Sequence, residues 1–155
     1  MMITLFIAAL VLLAALLIRH GMRVNRGLPS RMDKDAAYRA YRALPLGVVG
    51  ESFHRDNLVQ LMGTHNEAGS YATIEAGLVP DLTNPHDPNA VNVVVQDLVV
   101  GHLSSPAAKK YRKRYGLETI IVPGAIVGGF KKGRAWADYG VRLDLQLYGG
   151  NDNDS

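Results

Sequence analysis

The sequence contains no cysteine among its 155 residues. This absence excludes a disulfide framework and every metal site built on thiolates, and it is compatible with a reducing compartment. The chain also lacks an internal repeat, so its length predicts one domain of about 100 residues with additional segments. A domain of that size buries a sufficient core without disulfide or metal cross-links.

Most of the chain has no excess of basic over acidic residues, although the whole sequence carries a net charge of +3. Residues 19–45 hold seven basic and two acidic side chains, whereas residues 46–155 hold ten basic and twelve acidic ones. The larger part is therefore net acidic, and its overall charge does not favour polyanion binding. Two local basic clusters remain within it, at residues 109–114 and residues 131–134.

Residues 1–18 are apolar except for Thr4. At about 1.5 Å per residue, a helix of this length nearly spans the hydrocarbon core of a bilayer. No basic residue precedes the run and no small-residue cleavage site follows it before Arg19, which favours a membrane anchor over a signal peptide. Because arginines concentrate just after the run, we expect a single-pass protein of the cytoplasmic membrane whose larger part faces the cytoplasm.

Residues 19–45 form the predicted juxtamembrane linker, which ends in a short helix over residues 36–44. Ser30 and Asp33 resemble a capping box ahead of this helix, and Pro45 ends it. Tyrosines and arginines alternate in the helix, which is typical of an interfacial segment, although base stacking by the same rings stays open. We expect a spacer that lies near the membrane or against the domain.

The globular domain is predicted over residues 46–148, followed by a disordered acidic tail over residues 149–155. β-Branched runs predict six strands, and helix-capping signals predict two short helices. The strands cover residues 46–50, 71–79, 90–96, 98–103, 119–127 and 135–147, and the helices cover residues 55–62 and 106–114. Antiparallel hairpins between these strands predict a mainly β fold, a small and partly open barrel.

A stiff polar turn precedes the most strand-like run of the chain. Pro85 and Pro88 fix their own φ angles and push the residues before them toward extended conformations, so residues 84–88 cannot be helical. The turn carries His86 and Asp87 directly ahead of a valine-rich strand. Two interpretations are open, since Asp87 either bonds the backbone of its own turn or joins His86 in contacting a ligand.

Three motifs follow one another along the domain. They are Val48-Val49-Gly50-Glu51-Ser52-Phe53-His54, then Asn84-Pro85-His86-Asp87-Pro88-Asn89-Ala90-Val91 after Leu78-Val79-Pro80, and finally Val100-Gly101-His102-Leu103-Ser104. In the order and spacing of these motifs the chain resembles the HIRAN domain family over residues 46–147. The resemblance implies an OB-like barrel that binds nucleic acid, in particular single-stranded DNA or its 3′ end. It also implies a separate protein partner such as an ATPase or nuclease.

The resemblance further implies roles for single residues. His86 would stack on a terminal base, and Asp87 would accept a hydrogen bond from the 3′-hydroxyl. His102 and the first-strand residues Ser52 and Phe53 would line the same groove. Family members that bind DNA ends have an arginine and a tyrosine in place of Ser52 and Phe53, and a tyrosine in place of His86. The arginine that would clamp a phosphate is therefore missing from this chain.

Basic and aromatic side chains elsewhere in the domain could complete a nucleic-acid groove. The basic candidates for phosphate neutralisation are Lys109, Lys110, Lys131, Lys132 and Arg134. Phe130 and Trp136 could stack on bases, or they could pack within the hairpin that the glycine-flanked residues 128–133 predict. The sequence alone leaves both roles open for the two rings.

Catalytic and metal sites have little support in the sequence. A nucleophilic triad of Ser104, His102 and Asp87 can be drawn, but Ser104 and Ser105 are explained as caps of the following helix. The five histidines lack metal-ligand spacing, so a zinc site of His86, Asp87 and His102 requires the fold to bring them together. We therefore expect a non-enzymatic protein without a cofactor. It is a membrane-tethered nucleic-acid-binding module, or else a membrane-anchored protein-interaction or regulatory domain without DNA binding.

Overall fold

The computed structural model describes residues 24–26, 34–65 and 69–148 of the chain. The predicted membrane anchor, residues 1–18, and the predicted tail, residues 149–155, lie outside the described residues. Within the described ranges, no helix is long and apolar enough to cross a membrane.

The described part of the chain contains nine strands and three α-helices. The strands are β1 (Val24–Arg26), β2 (Leu46–Gly47), β3 (Ser70–Pro80), β4 (Val91–Val95), β5 (Leu98–His102), β6 (Ile120–Gly128), β7 (Lys131–Lys132), β8 (Ala135–Trp136) and β9 (Gly140–Leu143). The helices are α1 (Lys34–Ala43), α2 (Arg55–Met62) and α3 (Ser105–Tyr115), and a 3₁₀ turn, Glu51–His54, leads into α2. The fold is mainly β, which confirms the predicted class.

Six strands form a continuous antiparallel path in the order β2-β9-β6-β3-β4-β5, and they curve into a half-barrel. Strand β1 joins the same sheet beside residues 72–74 of β3, whereas β4 pairs with residues 77–80 of that strand. The β4–β5 hairpin turns on Gln96 and Asp97. Both have positive φ, as a two-residue turn between right-twisted strands requires.

The segment of residues 46–49 joins the two ends of this path. Leu46 and Gly47 pair with β9, and Val49 forms an isolated antiparallel bridge with His102 of β5. Each backbone N–H of this bridge donates to the carbonyl oxygen of the other residue at 2.9 Å. One short segment therefore bonds to both β9 and β5, and this double attachment holds the sheet in its curved form.

Two glycines permit the close approach of these segments. A Cβ atom on Gly101 would lie 2.5 Å from Cγ1 of Val48 and 2.7 Å from the carbonyl oxygen of Val49. A Cβ atom on Gly50, whose φ is +80°, would overlap the imidazole ring of His102. Carbon atoms do not approach one another this closely, so any side chain at either position requires the chain to shift.

One face of the sheet carries the main core, where alternate strand residues meet α2 and α3. The largest fully buried side chains are Tyr111, Leu58, Leu61, Leu78, Ile126, Leu143, Val91, Val93, Val95, Val100 and Val141. The hydroxyl oxygen of Tyr111 lies 3.1 Å from the carbonyl oxygen of Leu78 and 2.6 Å from that of Glu118. Burial raises the pKa of Tyr111 to about 12, so this hydroxyl stays protonated and donates to the backbone.

The opposite face of the sheet is partly covered by α1. Ala37 of this helix is buried together with Tyr71, Ala125 and Val127 of β3 and β6. The short helix predicted over residues 36–44 is thus confirmed as Lys34–Ala43, and it lies against the domain.

The predicted strand over residues 135–147 was wrong in its extent. It is divided into β8 and β9, and the residues after Leu143 have no strand pairing. The break lies opposite Gly128 and Gly129, which both have positive φ, and a Cβ on Gly128 would overlap the carbonyl oxygen of Asp138. The ribbon therefore changes direction here. The tip of the basic hairpin is Gly133 and Arg134, since residues 131 and 132 lie on β7.

Two boundaries around the motifs also differ from the prediction. Ser52 and Phe53 lie in the 3₁₀ turn and not on the first strand, because the positive φ of Gly50 turns the chain out of the segment 46–49. Helix α3 begins at Ser105, one residue before the predicted start. Ser104 then holds the N-cap position, and its side chain makes no capping hydrogen bond.

We predict that Gly101→Ala lowers the free energy of unfolding by about 2 kcal/mol or more, because the new methyl group overlaps Val48 and the backbone of Val49. Gly47→Ala is the matched control in the joining segment, since its Cβ would meet only Nη1 of Arg142 at 3.8 Å. Urea unfolding followed by circular dichroism measures both. Equal stability of the two variants would contradict the tight contact at Gly101.

Candidate functional site

The turn between β3 and β4 is stabilised by hydrogen bonds from its backbone to its own side-chain oxygens. Oδ1 of Asn84 accepts hydrogen bonds from the backbone N–H groups of His86 and Asp87, at 2.9 and 3.0 Å. Oδ1 of Asp87 accepts one from the backbone N–H of Asn89 at 2.8 Å. The interpretation that Asp87 bonds the backbone of its own turn is therefore confirmed. The hydrogen bond from Asn89 occupies one of the two carboxylate oxygens of Asp87.

A second aspartate ties the base of this turn to β4. Oδ1 of Asp81 accepts from the hydroxyl and the backbone N–H of Thr83, at 2.7 and 3.0 Å. Oδ2 of Asp81 accepts from Nδ2 of Asn92 at 3.4 Å. The hydrogen bonds from Thr83 are the main cause that holds the pKa of Asp81 below its usual range. The turn therefore has a charged carboxylate at its base.

The pairing of the strands places four residues in a row beside the turn. The row lies on the face of the sheet opposite the main core. Val79 of β3 pairs with Asn92 of β4, and Asn92 pairs with His102 of β5. Val49 ends the row through its bridge to His102. All four side chains are at least partly exposed. We call these four residues the outer row; at about 4.8 Å between strands it is roughly 15 Å long.

The imidazole of His102 lies against Gly50 and near two other titratable side chains. Burial, and to a lesser extent the charge of His102, lowers the pKa of His54. Burial raises the pKa of Glu51, although the hydrogen bond from the backbone N–H of Val141 and the charge of His102 both oppose this. Oε1 of Glu51 lies 3.3 Å from that N–H. His102 therefore sits where the outer row meets the 3₁₀ turn.

The zinc site considered from the sequence is not assembled. Among the described residues, no group of three or more histidine and carboxylate side chains is arranged to hold a metal ion. His86 is exposed on the turn and His102 lies in the outer row, while Asp87 bonds its own turn. The fold therefore does not gather these three side chains as a ligand set.

Phe53 has the highest exposure of the large hydrophobic side chains in the described residues, at 86%. Its backbone N–H donates to the carbonyl oxygen of Gly50 at 3.0 Å, which fixes it in the 3₁₀ turn. Because Gly50 contacts His102, this turn adjoins the outer row. Ser52 is exposed beside it. An aromatic ring held in water by a short turn is available to a ligand.

The basic residues of α3 are divided between two surfaces. Nη1 of Arg112 donates to the carbonyl oxygen of Pro88 at 3.3 Å, so this side of the helix lies against the turn. Lys109 is exposed and lies three residues earlier, on the same side of the helix. Nζ of Lys110 instead lies 4.6 Å from the ring centroid of Tyr148. Of the two predicted lysines, Lys109 is therefore the one beside the turn.

The remaining predicted site residues, Lys131, Lys132 and Arg134, lie at the other end of the sheet. Strands β7 and β8 continue from the end of β6, where Gly128 pairs with Ser70 at the start of β3. The turn that carries His86 follows the opposite end of β3. Ten residue steps at about 3.3 Å separate these two ends by roughly 33 Å. The hairpin and the turn are therefore two distinct surfaces.

Sequence reasoning missed Asp81 and Asn92 as parts of the site. Asn92 stands between Val91 and Val93, both buried, so strict alternation could have marked it as facing away from the core. The spacing of Asp81 and Thr83 is that of an Asx turn, which could have marked the base of the loop.

We predict that the pKa of His54 lies below 6.5 and rises in the His102→Gln variant, because a nearby positive charge is removed. It should stay below its ordinary value, since burial is the larger cause. The unfolded chain binds this proton more readily than the folded chain, so stability falls as the pH drops through the window below 6.5. NMR titration of the histidine ring protons measures the pKa. An unchanged value in the variant would show that the two rings do not interact.

Comparison of the chain with family models, with curated proteins and with solved structures finds no match. The likeness to the HIRAN domain therefore depends on the three motifs and their spacing. Two of these motifs meet in the outer row through Val49 and His102, and the third forms the adjoining turn. The three motifs on which the resemblance was based are thus neighbours in the folded chain.

Proposed function

We propose that the domain is an OB-like, HIRAN-like module that binds single-stranded nucleic acid across the outer row. The observation that carries the proposal is the exposed ring of Phe53 in the 3₁₀ turn, which adjoins the His102 end of the outer row, while the other end of this row adjoins the turn with His86. Every base has a π-face, so exposed rings bind single strands with little dependence on sequence. Phe53 and His86 would stack on bases, and His102 and Ser52 would line the path between them.

Asp87 supports recognition of a 3′ end within this proposal. Its Oδ1 already accepts a hydrogen bond from the backbone N–H of Asn89, so its Oδ2 is the oxygen that would accept a hydrogen bond from a 3′-hydroxyl. The turn is closed by its own hydrogen bonds before any ligand arrives, so binding would not require this loop to order. A terminal hydroxyl at Asp87 would bring the last base next to His86.

The local charge leads us to expect weak binding. Arg112 and Lys109 lie beside the turn, but Asp81 and Asp87 belong to the turn itself, so the net charge of this corner is close to zero. Two phosphate contacts correspond to a slope of about −1.4 in a plot of log affinity against log salt concentration. Stacking, at about 1–3 kcal/mol per base, would therefore contribute most of the affinity.

We also propose that the module is tethered to the cytoplasmic membrane through residues 1–18 and faces the cytoplasm. The support is the uninterrupted apolar run and the arginines that follow it in the sequence. The proposed protein is non-enzymatic, and it would act on nucleic acid through a separate partner such as an ATPase or nuclease.

A protein-interaction domain is the second candidate function. Large hydrophobic side chains are exposed near the site, and their burial by a partner would be favourable. They are Val49, Phe53, Leu82 and Ile121. This candidate predicts that Phe53 matters for a protein complex while oligonucleotides do not bind.

We predict that Phe53→Ala weakens the binding of labelled single-stranded DNA by roughly tenfold, because one stacking contact is lost. Fluorescence anisotropy with the full-length chain measures this at low ionic strength. Trp136→Ala is the matched control, since it removes an exposed aromatic ring at the opposite end of β3. Absence of salt-dependent binding by the unchanged protein would exclude the nucleic-acid proposal and favour the second candidate.

We predict that Asp87→Asn removes any preference for a free over a blocked 3′-hydroxyl, because the charged acceptor is lost. The asparagine keeps an oxygen for the backbone N–H of Asn89, so the turn should remain intact. Competition between oligonucleotides with free and blocked 3′ ends measures the preference. If Asp87→Asn leaves the preference unchanged, Asp87 has only its structural role, whatever the affinity for internal single strands.

A further inference from the structure

The β7–β8 hairpin extends beyond the half-barrel as a two-stranded ribbon. Among the described residues its two strands pair only with each other, and the backbone N–H of Gly129 donates to Ala137 O at 3.0 Å where the ribbon leaves the sheet. The backbone N–H of Ala137 donates to Phe130 O at 2.9 Å. Strand β3, on the neighbouring side of β6, begins only at Ser70. Phe130 still packs against Tyr38, so only the three residues from there to the tip extend further, by roughly 10 Å at about 3.3 Å each. The ring centroid of Trp136 lies 5.8 Å from that of His65, which follows the end of α2.

The ribbon combines an exposed tryptophan with basic residues and contains no acidic one. Trp136 is 46% exposed, and the register sets it opposite residue 131, a lysine. Arg134 is exposed at the tip, and residue 132 is a second lysine. Residues 129–137 include no aspartate or glutamate. Tryptophan among lysine and arginine is the composition of segments that lie at the headgroup level of a bilayer.

Helix α1 adds further positive charge at the base of the ribbon. The ring of Tyr38 meets the ring of Phe130 edge to face, with 5.7 Å between their centroids. Arg39 and Arg42 of the same helix are exposed, and Asp35 is its only acidic residue. We call the ribbon and α1 together the basic end. It contrasts with residues 46–155 as a whole, which carry more acidic than basic side chains.

We propose that the basic end docks on an anionic lipid surface, with Trp136 at the level of the headgroups. Charge complementarity favours a lipid surface as the partner of the basic end, since the inner leaflet is anionic and attracts basic side chains next to a membrane segment. The place where the chain leaves the proposed membrane anchor agrees with docking at this end of the domain. Residues 19–23 span at most roughly 18 Å, and β1 then pairs with residues 72–74, in the half of β3 that leads to the ribbon.

Docking of the basic end would fix the orientation of the domain relative to the membrane. The turn with His86 and the outer row lie at the opposite end of β3, roughly 33 Å from the start of the ribbon. They would face the cytoplasm and stay clear of the lipid. The proposal rests on the membrane-anchor part of the proposed function and is independent of nucleic-acid binding.

The chain contains a single tryptophan, so its fluorescence reports on Trp136 alone. The full-length chain is reconstituted into vesicles of phosphatidylcholine, with and without phosphatidylserine. We expect phosphatidylserine to shift the emission to shorter wavelength and to reduce quenching by acrylamide, and added salt to reverse both changes. The double variant Lys131→Gln/Lys132→Gln should reduce the ratio of docked to undocked protein about tenfold or more.

The double variant Lys110→Gln/Lys113→Gln is the matched control, because it removes the same charge from α3 outside the proposed nucleic-acid site and should leave the emission unchanged. Equal emission with and without phosphatidylserine would overturn the docking proposal while leaving the anchor intact. A chain that floats only with the anionic vesicles, and shows the shift there, would support docking and contradict the anchor. Quenching of Trp136 by single-stranded DNA without any response to phosphatidylserine would assign the ribbon to nucleic acid and overturn the proposal.

Discussion

The backbone bridge between Val49 and His102 is the contact on which both the fold and the candidate site depend. The two residues are far apart in sequence, and their pair of 2.9 Å hydrogen bonds attaches the segment before the 3₁₀ turn to the last strand of the path. The bridge requires Gly50 and Gly101, because a side chain at either position would occupy space that the other segment fills. The same bridge brings the 3₁₀ turn that carries Phe53 next to the outer row. Loss of the sheet's curvature would therefore also separate the parts of the site.

Charge is arranged along the length of β3. The ribbon and α1 concentrate exposed cations at one end, whereas the other end combines Lys109 and Arg112 with the carboxylates of the turn. A protein that bound polyanions with its whole surface would not need this separation. In the proposed tethered domain this separation would have a use, because a basic surface close to anionic lipid would orient the module and a nearly neutral corner would not be attracted to the same lipid.

Elements whose signals are local could be predicted closely from the sequence. Helix α2 was predicted with its observed bounds, because Gly63 follows its apolar periodicity directly as a stop signal. The β3–β4 turn could be predicted as well, since two prolines restrict it regardless of the rest of the chain. The outer row could not, because it depends on which residues of β4 and β5 are opposite each other. A bulge between Val93 and Val94 shifts that register, and no local pattern reveals it.

The two interpretations of Asp87 are compatible once the geometry of its carboxylate is considered. The hydrogen bond from Asn89 fixes the side chain of Asp87 and occupies one of its two carboxylate oxygens. The side chain of Asn84 fixes the backbone by accepting hydrogen bonds from the N–H groups of His86 and Asp87. A carboxylate that were free to rotate would lose conformational entropy on meeting a hydroxyl, and that loss would weaken binding. The structural role therefore favours the proposed binding role, because it holds the second oxygen in a fixed direction on the turn that also carries the exposed His86.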